Sequence, residues 1–192
     1  MNDLRVLKWL GMLCLLAGIA RIGMTPTAMI WGTDSWQELS FGYAACILMS
    51  VATIAGFLAQ KKETGMLGFI SAVAMTIGNI VTTALVFTVF VMDPVDPMPE
   101  GPVVFISRMI SMVGLILGTI LFIVVTFRAK VFPRLVPVLF IAMLASQFLP
   151  VEYNVYFAAF WGLAYVAMGY CIVTGRLTSG AQADQSGSRF GI

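Results

Sequence analysis

Apolar residues in this chain come in runs of about twenty, and no other feature limits its folding as strongly. A helix needs roughly 20 mainly apolar residues to cross the ~30 Å hydrocarbon core of a bilayer. Inside that core each segment must satisfy its own backbone N–H and C=O groups, which leaves helices as the spanning element for runs of this length. Reading the runs against their charged or Pro/Gly breaks predicts spans near residues 5–24, 39–60, 65–92, 103–127, 134–149 and 153–175. The expected fold is therefore all-α, a polytopic six-transmembrane-helix bundle over residues 1–175. Composition agrees, with 60% hydrophobic and 10% charged residues, whereas a soluble domain carries about 25% charged residues. Residues 176–192 are polar and rich in small residues, and they are expected to form a disordered cytoplasmic tail.

The predicted spans also carry an orientation, because Lys and Arg collect in cytoplasmic loops while acids contribute little to the rule. With the N-terminus inside, Arg5, Lys8, Lys61, Lys62, Arg128, Lys130, Arg134, Arg176 and Arg189 are cytoplasmic, nine of the eleven basic residues. Only Arg21 and Arg108 fall on the outer side. Both termini are therefore expected in the cytoplasm of a multi-pass plasma-membrane protein. Trp9 at the inner edge and Trp31, Trp36, Tyr43, Tyr153 and Tyr156 near the outer one suit the interfacial preference of these rings. Trp161 and Tyr165 lie deeper.

Several reaction classes are disfavoured at once. The chain has no histidine, hence none of the commonest general base and metal ligand. Cys14, Cys46 and Cys171 stand singly in apolar segments and read as small buried hydrophobes. The thirteen methionines are dispersed and read as lipid-facing or core filler. Phosphate loops and hydrolase or metalloprotease signatures are lacking. We expect no metal, no cofactor, no catalytic group and no nucleic-acid partner.

Helices in lipid associate by close backbone approach, so small residues at helical spacing mark the packed faces. In the fourth run Ser107, Ser111, Gly114 and Gly118 form one stripe containing a full G-x-x-x-G, and Ser71 and Gly78 lie on a matching stripe of the third. The two runs are expected to pair as an antiparallel hairpin, the alternative being a homodimer face. In the first run Gly11, Cys14, Gly18, Arg21 and Thr25 share one face.

Arg21 is the conspicuous member of that stripe. It snorkels to the outer interface, or it turns inward to meet Glu38, Glu152 or the anionic head of a lipid or substrate. Glu38, Arg108 and Glu152 each stand near the outer end of a run, so with Arg21 they are candidates for one polar cluster. Asn79, a polar residue near mid-span, and Gln147 are candidates for interhelical hydrogen bonding or for lining a small-substrate path. The acidic, proline-rich loop 92–102 suits a contact surface.

The loop signatures K-K-x-x-G at residues 61–65 and R-x-K-x-x-P-R at residues 128–134 resemble those of many small bacterial membrane proteins, which implies a bacterial plasma membrane and no particular activity. Helices rich in packing faces and poor in reactive groups point first to a protein acting by association, as an accessory, assembly or protective subunit. Its partners are then the lipid bilayer, other membrane proteins or a second copy. A transporter or binder of small molecules or lipids, with an inter-helical cavity near Asn79, Arg21 and Gln147, is the alternative. An intramembrane enzyme using outer-leaflet carboxylates is a further one.

Overall fold

The computed structural model describes residues 3–92, 100–148 and 156–177. Glu152, most of the acidic loop and the tail beyond residue 177 lie outside these. All regular structure among the described residues is helical: α1 (Asp3–Trp31), α2 (Trp36–Val91), α3 (Pro102–Ala129), α4 (Leu135–Ser146) and α5 (Tyr156–Thr174). Four of them, α1, α2, α3 and α5, are long and apolar enough to cross a membrane.

A straight helix of 56 residues, the length of α2, would reach about 84 Å. Instead the chain leaves helical geometry at Gln60 (φ −129°, ψ 16°) and Gly65 (φ 53°, ψ −138°) and folds back. Trp36 stacks on Phe90 at 4.1 Å, Tyr43 meets Phe87 at 5.9 Å, and Phe57 meets Phe69 at 5.9 Å. Thr76 donates to the Ser50 carbonyl at 3.4 Å. Residues that rise on one arm thus meet residues that fall on the other, as in an antiparallel hairpin closing near Glu63. The turn uses the K-K-E-T-G break, and Gly65 takes a conformation that side-chain-bearing residues rarely adopt.

The first helix outruns its sequence-predicted end at residue 24 by seven residues. Pro26 withdraws one backbone N–H, yet Thr27 Oγ1 donates to the carbonyls of Gly23 (2.8 Å) and Met24 (2.9 Å) in the turn before it. The helix stops at Gly32, whose φ of 92° and N–H bond to the Ala28 carbonyl (2.9 Å) make a glycine C-terminal cap.

Two close seams hold the bundle. Along the first, α1 runs antiparallel to α5: a Cβ on Gly18 would stand 2.5 Å from the Gly162 carbonyl oxygen, and one on Gly169 would stand 2.7 Å from the Leu15 nitrogen. Along the second, the returning arm of α2 meets α3. A Cβ on Gly114 would lie 2.8 Å from the Ala74 oxygen, and one on Gly118 would lie 2.9 Å from the Met75 nitrogen. Ser71 donates to the Gly118 carbonyl at 3.0 Å, and Thr82 and Ser111 share a hydrogen bond at 2.5 Å. The G-x-x-x-G face of α3 is thereby covered within the chain.

The outgoing arm of α2 lies between these seams, with Ala45, Cys46, Met49, Ala52 and Ala55 fully buried. The helix α4, 12 residues long and so about 18 Å, is too short to cross a bilayer by itself. Its Phe140 sits edge-on to both Phe122 (5.1 Å) and Tyr165 (5.7 Å), which fixes it against α3 and α5. Val103, Phe105, Met112, Leu117 and Val124 leave the far side of α3 apolar and exposed, a surface that suits lipid rather than water.

Candidate ligand site around Arg21

Arg21 is carried into the interior by the small-residue face of α1. Its neighbours on that face show why: Gly18 touches the α5 backbone, and the Cys14 thiol donates to the Tyr165 carbonyl at 3.2 Å. Helical spacing then presents residue 21 to α5 as well. The Arg21 side chain is only 7% exposed, and its guanidinium carbon lies 4.2 Å from the Trp161 ring centre and 6.0 Å from that of Phe157. Nη1 donates to the Cys46 sulfur at 3.8 Å, a weak acceptor, while Nε is buried without a hydrogen-bond partner. Trp161 Nε1 is likewise buried and unpartnered.

No ion pair balances this charge among the described residues. Glu38 is near enough to act on it electrostatically, but the Glu38 carboxylate is committed to the backbone N–H of Asp34 at 2.7 Å. Ser35 caps the start of α2 by accepting from the Glu38 N–H at 3.4 Å. The pair Ser35 and Glu38 is thus a variant of the reciprocal S-x-x-E cap, and its acid is fixed to its own helix end. Arg108 on α3 and Gln147 at the end of α4 are exposed. Neither joins Arg21 or Glu38 by a hydrogen bond or ion pair among the described residues.

One turn further along α5 from Trp161 stands Tyr165, fully buried. Thr53 Oγ1 donates to the Met49 carbonyl (2.8 Å), so the 2.8 Å bond between Thr53 and Tyr165 leaves the phenol as its donor. The phenol oxygen keeps acceptor capacity and interacts with Asn79. Asn79 is fully buried; its amide lies against the Tyr165 hydroxyl, and its nitrogen and oxygen otherwise have no partner at good hydrogen-bonding geometry. The unpaired N–H of Trp161 and the poorly paired amide of Asn79 therefore lie at successive levels of α5, separated by about 6 Å of helical rise.

Leaving a buried polar group unpaired costs about 1–3 kcal/mol, and a buried charge several kcal/mol. A desolvated cation–π contact returns about 2 kcal/mol, which does not balance the charge of Arg21. Two unpartnered buried N–H groups, Arg21 Nε and Trp161 Nε1, and the poorly paired Asn79 amide thus lie along the interface of α1, α2 and α5. Arg21 and Asn79 are legible in the sequence as polar residues in apolar runs. Cys46, Thr53 and Trp161 are not, although the unusual depth of Trp161 and Tyr165 in their run is a signal of burial. No family model, curated protein or solved structure matches this chain.

Proposed function

We propose that the chain is a six-span plasma-membrane protein, bacterial by its loop style, with both termini cytoplasmic, and that it acts by holding a small polar or amphipathic molecule in the interior of its bundle. Six spans arise when each arm of the α2 hairpin crosses and α4 belongs to a further crossing. The observation that carries the binding function is Arg21, a cation buried between α1, α2 and α5 that forms no ion pair with a carboxylate among the described residues. Unlike charges at membrane interfaces, a cation turned into the bundle marks a ligand or transport path. The role of an accessory subunit has less support, because the glycine faces that would serve a partner are occupied inside the chain.

The test is native mass spectrometry of the full chain released gently from its own membrane. Retention of a stoichiometric small molecule is expected. A bare protein whose melting is unmoved by any lipid or metabolite tried would sink the binding function.

A further inference from the structure

Resting on that binding function, we infer that the bound group is an oxyanion, a carboxylate or a phosphate ester, seated against the Nε edge of Arg21 beside Trp161. A guanidinium offers a carboxylate or phosphate its flat edges, each with parallel N–H bonds. In Arg21 the stack on Trp161 covers a ring face at 4.2 Å, and Nη1 is turned to Cys46. The edge that contains Nε is the one whose N–H has no partner. Trp161 Nε1, a donor and never an acceptor, is the second unpartnered N–H of the same contact pair. A cation and two idle donors call for an acceptor that carries negative charge. A neutral hydroxyl or carbonyl would satisfy a donor and leave the charge uncompensated.

The flanking residues set the rest of the chemistry. Phe157 and the Trp161 ring are apolar walls, so the group attached to the oxyanion is hydrocarbon or the anion is a small free ion. The same contacts serve an anionic amphiphile entering from the bilayer and an inorganic anion entering from water, and experiment separates the two. Asn79 supplies a donor and an acceptor one level deeper for a second polar atom.

The experiment follows the melting temperature of the full-length protein in a neutral maltoside detergent with oleate, oleyl alcohol or inorganic phosphate added. Oleate at a hundredfold excess over its Kd is expected to raise Tm by about 5 °C or more, and oleyl alcohol, with the same chain and no charge, is not. Phosphate raising Tm to the same degree would also support the oxyanion and would identify a free ion as its source. Arg21→Met is expected to abolish the shift. Trp161→Phe keeps an aromatic wall but removes the N–H, and is expected to weaken binding about tenfold, the worth of one charge-assisted hydrogen bond; it serves as the test if Arg21→Met does not fold. Equal stabilisation by oleyl alcohol and oleate would overturn the oxyanion while leaving a bundle that binds amphiphiles. A full oleate shift in Arg21→Met would also overturn it. No shift from any of the three probes would overturn both it and the binding function.

Discussion

Tyr165 shows how a single side chain ties polar groups together inside an apolar bundle. Its ring fills the centre of the bundle against Phe140, and its hydroxyl is tied to Thr53 on another helix. Interhelical hydrogen bonds in membranes are worth about 0.6 kcal/mol on average and about 1.7 kcal/mol at most. Tyr165→Phe preserves the packing, so its expected cost lies in that range, read as a small fall in Tm. A collapse of the fold would instead make the phenol an essential bridge between Thr53 and Asn79. Residue-scale features were unequally legible. Arg21 is placed on its buried face by spacing alone, since Gly11, Cys14 and Gly18 repeat below it. The Ser35 and Glu38 cap is written openly as S-W-Q-E, and it competes with the reading of Glu38 as a partner for Arg21. The contact of Arg21 with Trp161 joins opposite ends of the chain, and no local pattern encodes it.

At the scale of elements, glycine placement decides which helices approach and how closely. On α1, Gly18 faces backbone: a Cβ there would meet the Gly162 oxygen at 2.5 Å and the Val166 nitrogen at 2.7 Å. On α2, a Cβ at Gly42 would meet only the flexible end of Met24, its Cε at 2.9 Å. Gly18→Ala is therefore expected to destabilise by about 1–3 kcal/mol, the usual cost of overpacking, while Gly42→Ala is expected to be near neutral because a thioether moves aside. Thermal unfolding of both variants in detergent checks the contrast. Equal losses would mean that the α1 and α5 seam relaxes and does not set the bundle. The partner stripe of Ala158, Gly162, Tyr165 and Gly169 on α5 is readable at helical spacing, but an aromatic among the small residues disguises it. Pro26 misleads in the other direction: proline ordinarily ends a helix or kinks it, whereas α1 continues through it to Trp31.

For the whole molecule the open quantity is how often the chain crosses the bilayer, and the α2 hairpin is where it is decided. Lys61 and Lys62 sit at its turn and are exposed, while Thr33 and Glu100, also exposed, flank its two open ends. If both arms cross, these two ends face one side and the lysines face the other. In the proposed orientation the bias of basic residues places the lysines inside, where a membrane potential of 100 mV would oppose moving each of them outward by about 2.3 kcal/mol. Single cysteines at Lys61, Thr33 and Glu100, in a chain whose own three cysteines are replaced by alanine or serine, report this directly. A membrane-impermeant maleimide on intact cells is expected to label Thr33→Cys and Glu100→Cys and to spare Lys61→Cys, with the reverse pattern in inverted vesicles. Labelling of all three from one side would mean that neither arm of α2 spans, leaving the hairpin as a re-entrant element. Labelling of Lys61→Cys alone on intact cells would keep the spans and invert the protein. That result would place Arg21 nearer the cytoplasmic face and make an intracellular anion, rather than an outer-leaflet one, the first ligand to try.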